Sequence, residues 1–149
     1  MSSELAFMGL VDIGKLINKR KLSSLEATQS SLERIEQLDP KLKSYVTVLA
    51  DSALKEARRA DREHKQGKHR GPLHGVPVAV KDLCDMKGIA TTVGIPMFRK
   101  SIAERDATVV RKLRDAGAVI LGKLHLTEGA LATHLPDIPP PQNPWVRDR

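Results

Sequence analysis

The sequence predicts an α/β fold in which a small mixed or parallel sheet is flanked by helices. Two short apolar segments, residues 76–80 and 119–121, have the composition of buried strands. Between them, residues 106–117 have the apolar spacing of a helix that ends at a glycine. A strand, a helix and a second strand in this order give a parallel pair with a right-handed crossover.

A mainly helical segment, residues 1–67, is predicted to precede these strands. Its first helix begins near Leu10. The second follows residues 23–26, where a serine and a glutamate three positions apart form a capping box that satisfies the free amides of a helix start. We expect this helix to stop at Asp39 and Pro40, because the residue before a proline disfavours helical backbone.

A short strand and a third long helix complete the N-terminal segment. Residues 45–49 are rich in strand-forming side chains. Asp51 is expected to cap the helix that follows, and this helix is expected to end near Gln66, before Gly67. Its alanines recur with helical spacing, which predicts a face of small residues that points inward.

Residues 68–135 are predicted to form the start of an α/β core, followed by a proline-rich, extended stretch over residues 136–149. A loop over residues 82–105 separates the first strand of this core from its helix, and loops of that length are usually functional or disordered. A weakly helical stretch, residues 127–131, follows the second strand. With 149 residues in all, we interpret the three segments as parts of one domain.

The composition argues against several classes of protein. The net charge of +7 is spread along the chain, with 14 basic and 10 acidic side chains in residues 1–70 and 11 and 8 in residues 71–149. Since aromatic residues make up only 3%, few side chains can stack on bases, which argues against nucleic-acid binding. No apolar run is long enough to span a membrane, and the N-terminus lacks the pattern of a signal peptide. A single cysteine, Cys84, permits no internal disulfide, and we expect a cytoplasmic protein.

Lys81 is the outstanding candidate for chemistry. It follows the apolar residues 78–80 at the carboxyl end of a predicted parallel strand, where open α/β sheets bind their ligands. Partial burial at this position would lower the pKa of its amine toward neutrality, and a neutral amine can accept a proton from a hydroxyl. The alternative is a strand-end lysine whose charged head extends into solvent.

Two further side chains near these strand ends are weaker candidates for catalytic residues. Lys123 occupies the equivalent position after the second strand, where we expect a solvated or ion-paired lysine, with Glu128 as a partner for Lys123 or Lys81. Cys84 could act as a thiol nucleophile, although a small buried side chain that fills a turn is the favoured interpretation.

Three histidines, His64, His69 and His74, recur every five residues. This spacing does not align them on one helix face, and no carboxylate lies between them to complete a set of metal ligands. We therefore expect no metal site here and no other cofactor. Residues 91–94 could form a substrate-facing loop, but their composition alone indicates only a loop.

At these residues the sequence is similar to the amidase signature family. Residues 71–82, Gly-Pro-Leu-His-Gly-Val-Pro-Val-Ala-Val-Lys-Asp, resemble its hallmark segment. Three further stretches agree with the family in order and spacing, and they are residues 91–94, residues 106–118, and residues 119–123 with Thr127 and Glu128. In addition, residues 143–145 match the lead-in to the family's Gly/Ser-rich segment. Four ordered motifs over about residues 70–146 are together specific evidence for the family, whereas any one of them would be weak evidence.

The resemblance implies a hydrolase that cleaves a carboxamide C–N bond to a carboxylate and ammonia or an amine. It implies a Ser–cisSer–Lys triad, in which Lys81 is the lysine. Both serines are expected after Trp145, and none of the nine serines present lies in a Gly-Gly-Ser-Ser-like run, so we expect these 149 residues to be truncated and inactive alone. Leu124 and His125 depart from the Thr-Asn of many members, and the roles of His125 and His134 stay open.

Other interpretations stay open beside an amidase that acts on a small-molecule amide. The chain could belong to the amide-hydrolysing component of an amidotransferase, which supplies ammonia to a charged-tRNA partner. It could also be a non-catalytic interaction module. An unpaired sheet edge promotes association, so we expect the isolated chain to form a homodimer or an aggregate. The amide substrate itself stays open.

Overall fold

The chain combines helices with three short strands in the computed structural model, which describes residues 2–131, 133–135, 138 and 140–146. The helices in this part of the chain are α1 (Ser2–Leu5), α2 (Leu10–Asn18), α3 (Ser24–Leu42), α4 (Ala50–Lys65) and α5 (Thr108–Asp115). The strands are β1 (Tyr45–Val48), β2 (Pro77–Lys81) and β3 (Val119–Leu124). Short 3-10 turns span Pro96–Lys100 and Glu128–Ala130. The predicted α/β class is confirmed.

The three strands form a mixed sheet in the order β1-β3-β2. Strand β1 pairs antiparallel with β3, and Tyr45 lies opposite Leu124. Strands β2 and β3 run parallel, because Val119 N donates to Val76 O at 2.9 Å and Asp82 N donates to Leu124 O at 3.0 Å, so both partners advance in the same direction. The predicted parallel pair is therefore present, with an antiparallel strand beside it.

The residues group into two compact units, and each unit combines stretches that are distant in the sequence. The first comprises Met1–Glu36, Leu49–Val78 and Lys112–Leu121, and the second comprises Gln37–Val48, Ala79–Arg111 and Gly122–Arg149. Of the predicted proline-rich stretch, residues 136, 137, 139 and 147–149 lie outside the described residues. Within the described residues, no helix combines the length and the apolar character that crossing a bilayer requires.

The core of the first unit is built from aliphatic and small side chains. One buried cluster contains Ile17, Ala27 and Val76, and two partly buried side chains, Ile13 and Leu22, pack against it. Helix α4 buries the predicted face of small residues, which consists of Ala53, Ala57 and Ala60. A face without bulky side chains lets the helix backbone approach its neighbours closely, so a core with few aromatic residues can still be filled.

The start of α3 confirms the predicted capping box. Glu26 N donates to Ser23 Oγ at 3.0 Å, and Ser23 N donates to Glu26 Oε2 at 2.9 Å. The hydrogen bonds from Ser23 lower the pKa of the Glu26 carboxyl, so the cap is made by the ionised form.

The predicted end of α3 is wrong, because the helix continues through Pro40 to Leu42. Proline has a φ angle that suits a helix, and the missing amide removes only one hydrogen bond this close to the helix end. The Asp39 carboxylate then accepts hydrogen bonds from Ser44 N at 2.7 Å and Tyr45 N at 3.2 Å. Asp39 thus satisfies amides beyond the helix, and β1 still begins at Tyr45 as predicted, although α3 ends two residues later than expected.

Two other helix boundaries differ from the prediction. Helix α4 begins at Ala50 with Leu49 as its N-cap residue, so Asp51 lies in the first turn, where its charge still favours the helix dipole. The helix predicted over residues 127–131 is a 3-10 turn at Glu128–Ala130, because Gly129 adopts a positive φ of 57° that breaks the helical path.

Strand β3 approaches β1 too closely at Gly122 to admit a side chain. A Cβ atom at this position would collide with the carbonyl oxygen of Thr47. We therefore expect Gly122→Ala to lower the free energy of unfolding by about 1–3 kcal/mol, measured by urea denaturation. Gly9→Ala is the matched control, because a Cβ there meets only Asp12 Oδ2 at 3.9 Å. Equal stability of the two variants would refute this explanation.

Candidate active site

Lys81 ends β2, as predicted, but its side chain is exposed. The preceding Val80 is buried, with 6% of its surface accessible. Successive side chains on a strand point to opposite faces, so the residue after a buried valine faces outward. Among the described residues, Lys81 is therefore more exposed than the expected partial burial implies.

The buried lysine is Lys123 instead. Its side chain has no exposed surface, and its Nζ lies 2.7 Å from Asp82 Oδ1, whose side chain is also fully buried. Nζ further donates to the Ala90 carbonyl oxygen and to Thr91 Oγ1, both at 2.8 Å. The ion-paired alternative is thus confirmed for Lys123, but the partner is Asp82 rather than the expected Glu128.

Asp82, the residue directly after Lys81, is held by its backbone and its side chain. Its amide donates to Leu124 O at 3.0 Å, and its carbonyl oxygen accepts from Val93 N at 3.1 Å. Its carboxylate Oδ2 accepts hydrogen bonds from the amide of Thr92, at 3.1 Å, and from the Thr92 hydroxyl. Oδ1 faces Lys123 as an ion pair outside hydrogen-bond alignment. The peptide that follows Lys81 is therefore fixed.

The loop that contains residues 91–94 is ordered by backbone contacts. Thr91 N donates to Ser101 O at 3.1 Å, and Gly129 N donates to Val93 O at 2.9 Å. Gly94 has a φ of 72°, and a Cβ there would lie 2.7 Å from the Thr127 carbonyl oxygen. Only glycine therefore fits this close approach without strain. The 82–105 loop is thus built into the second unit.

Cys84 has the environment of a turn residue. Its amide donates to Lys81 O at 3.0 Å, and its side chain is half-buried. Burial raises the pKa of its thiol, which outweighs the opposing effect of Lys123. A thiol with a raised pKa is a poor source of the nucleophilic thiolate, so the turn-filling interpretation is favoured.

His125 follows β3 directly and lies beside the strand end. Its amide donates to Ser44 O at 2.8 Å. Burial, together with the charge of His134, lowers the pKa of the half-buried His125 ring, which favours its neutral form. A neutral imidazole at this edge of the sheet can donate or accept a hydrogen bond.

The three histidines lie together in the first unit, which their spacing did not predict. His64 Nδ1 lies 3.1 Å from His69 Nδ1, and the rings of His64 and His74 stack with centroids 4.3 Å apart. The chain reverses after α4 at Gly67, whose φ is 74°, and this turn brings His69 back to the helix. Among the described residues, no set of three or more His, Cys, Asp or Glu side chains is arranged to hold a metal ion.

The hydrogen bonds of His74 define its tautomer. Its Nδ1 accepts from Arg70 N at 3.3 Å, so the proton resides on Nε2, which donates to Glu63 Oε2 at 3.0 Å. Burial alone would raise the pKa of Glu63, but hydrogen bonds from Arg70 and Arg59 outweigh it and lower the pKa to about 2. Burial, followed by the charge of His64, lowers the pKa of His74.

We expect His74 to make the stability of the chain pH-dependent. With its pKa lowered in the folded state from the ordinary 6.5, His74 binds a proton more readily after unfolding. Its contribution is therefore complete above pH 6.5 and decreases as the pH falls below 6.5 toward the lowered folded pKa.

Denaturant unfolding between about pH 5 and 8 measures this effect. The matched variant is His74→Asn, which can keep neutral hydrogen bonds but does not titrate. Its free energy of unfolding should depend less on pH than that of the wild type. The titration of His125 is common to both proteins and cancels in the difference. Identical pH dependence would contradict the assignment to His74.

The sequence and structure match one protein family. A family model described as Amidase matches residues 26–149. The chain is 50% identical to the candidate amidase AmiD of Mycobacterium tuberculosis over 136 residues, which cover 91% of the chain and 29% of the relative. It is 40% identical over 148 residues to a glutamyl-tRNA(Gln) amidotransferase subunit of Moorella thermoacetica, and these residues cover 98% of the chain and 30% of the relative.

Solved structures agree with these matches. The peptide amidase of Stenotrophomonas maltophilia superposes with a TM-score of 0.76 at 40% identity, over 83% of this chain and 26% of that one. An inhibitor-bound complex, described in connection with the origins of an s-triazine catabolic enzyme, superposes with a TM-score of 0.88 at 31% identity, over 94% and 31% of the two chains. By length, the chain spans 29% of the M. tuberculosis relative and 30% of the M. thermoacetica relative.

Proposed function

Because this chain belongs to the amidase family, we propose that it supplies the lysine base of a hydrolase that cleaves the C–N bond of a carboxamide. One observation carries the proposal. Lys81 is exposed at the carboxyl end of β2, directly before a residue whose backbone and carboxylate are both fixed. Ligand sites in α/β sheets lie at this end of the strands.

The chemistry requires a hydroxyl nucleophile beside Lys81. By family resemblance, this is a serine of a Gly/Ser-rich segment, linked to the lysine through a second serine. In its neutral form the Lys81 amine accepts the hydroxyl proton through that second serine, and the serine oxygen forms a bond to the amide carbon. The C–N bond then breaks as the proton passes to the leaving nitrogen, and water hydrolyses the acyl-enzyme to the carboxylate. Backbone amides stabilise the tetrahedral oxyanion.

A second candidate function is the ammonia-producing component of an amidotransferase. It is supported by the 40% identity over 148 residues to the glutamyl-tRNA(Gln) amidotransferase subunit of M. thermoacetica. The role of Lys81 is the same in both proposals, and they differ in what receives the nitrogen. Co-purification with partner proteins and ammonia transfer to a charged tRNA would favour this candidate, whereas release of free ammonia from a simple amide would favour the first.

We expect the 149-residue chain alone to hydrolyse no amide. A lysine base has no effect without a hydroxyl to deprotonate. Loss of the nucleophile from a catalytic triad lowers kcat by a factor of about 10⁶. Ammonia release from aliphatic and aryl amides would be measured with protein of verified mass. Turnover at an enzymatic rate would contradict the proposal and direct attention to the serines present or to Cys84.

The role of Lys81 is testable in a graft. The matching segment of the S. maltophilia peptide amidase would be replaced by residues of this chain, and hydrolysis of a peptide amide would be measured. Lys81→Ala should lower kcat by about 10⁴-fold or more, because the base acts only together with its hydroxyl partners. Lys87→Ala, which changes another exposed lysine a few residues along the chain, is the control. A Lys81→Ala graft that keeps a tenth of the parent turnover would exclude this role.

A further inference from the structure

The buried pair of Asp82 and Lys123 has no obvious benefit for stability alone. Both side chains have an exposed fraction of 0%. Replacing a buried ion pair by apolar residues is often neutral or stabilising, whereas removing one partner leaves an uncompensated charge. We therefore look for the role of this pair in the local geometry that it fixes rather than in stability.

The pair connects the ends of β2 and β3 to the loop that follows β2. Lys123 contacts the carboxylate of Asp82, the carbonyl oxygen of Ala90 and the hydroxyl of Thr91. The other carboxylate oxygen of Asp82 accepts two hydrogen bonds from Thr92. One ammonium group and one carboxylate thus hold three segments of the second unit together.

We propose that Lys123 is a positioning residue that acts on Lys81 through Asp82. The inference rests on the proposed role of Lys81 as the base. The Asp82 amide is hydrogen-bonded to Leu124 O, and the Asp82 carbonyl oxygen is hydrogen-bonded to Val93 N. These two bonds fix the backbone next to Lys81 and therefore the direction in which the Lys81 side chain leaves it. The ion pair keeps that arrangement, since the Asp82 side chain can neither turn to solvent nor seek another cation.

The pair also determines which cation neutralises Asp82. The adjacent Lys81 is the alternative counter-ion, and its side chain is free to face solvent because Lys123 already occupies that role. Without Lys123, the unpaired Asp82 carboxylate would attract the Lys81 ammonium group, so the Lys81 side chain would turn toward it. Among the described residues, Cys84 in the next turn and His125 at the end of β3 interact electrostatically with the pair.

The active graft with the peptide amidase is the first test. Lys123→Met should lower kcat by about 10²-fold, the scale of a small misplacement of a catalytic group, with KM within about twofold. Lys87→Met is the control and should change neither parameter.

A double variant separates positioning from a purely structural role. Lys123→Met/Asp82→Leu removes both charges, so it should unfold at the wild-type denaturant midpoint or above it. Its kcat should remain at least about tenfold below that of the parent graft, because the anchor to Thr92 is lost. A double variant with parental kcat would overturn the inference while leaving the role of Lys81 intact. An active Lys81→Ala graft would instead refute the proposed function.

Amide hydrogen exchange on the 149-residue chain tests the same inference without any activity. In the double variant, the amides of residue 82 and Val93 should exchange at least about tenfold faster than in the wild type. The amides of Gly75 and Val119 are the internal control, since they bond to Gly117 O and Val76 O within the first unit. Unchanged protection at residue 82 and Val93, or an equal loss at all four amides, would overturn the inference.

Discussion

Two opposite charges that no solvent reaches hold together the second unit at the ends of β2 and β3. Isolated, either charge would be strongly unfavourable in an apolar interior, so each has to be neutralised by a fixed partner. Lys123 and Asp82 neutralise each other, Lys123 donates to Ala90 and Thr91, and Asp82 Oδ2 accepts from Thr92. The loop after β2 therefore has a defined path although it contains little regular secondary structure. The backbone position from which the exposed Lys81 side chain extends is therefore fixed by this network.

The sequence predicted the position of Lys81 but not its environment. Its place at a strand end followed from the apolar residues before it, and a fuller use of strand alternation would also have shown that a residue after the buried Val80 faces outward. The burial of Lys123 could not be found in this way, because its partner Asp82 is 41 positions away in the sequence and its other partners belong to a loop without periodicity. Local patterns locate strand ends, whereas charge pairing depends on how distant segments meet.

The histidines and Pro40 show the same limit in the first and second units, respectively. Spacing along a helix was the wrong test for His64 and His69, because the reversal at Gly67 brings the second ring back to the first. The effect of Pro40 was overestimated, since a single missing amide near a helix end is offset by the Asp39 carboxylate beyond it. In contrast, the capping box and the alanine face of α4 depend on neighbours within one or two turns, and both were predicted correctly.

The pairing of β1 with β3 has a consequence for folding. Tyr45 lies opposite Leu124, so β1 has to wait for a partner that is synthesised about 80 residues later. At about 5–20 residues per second, ribosomes need roughly 4–16 s for that distance. Contacts of such long sequence separation also form slowly because a large loop has to close. During this interval the β1 edge is open on the nascent chain, which makes it a site where chaperones or other chains can bind before the sheet is complete.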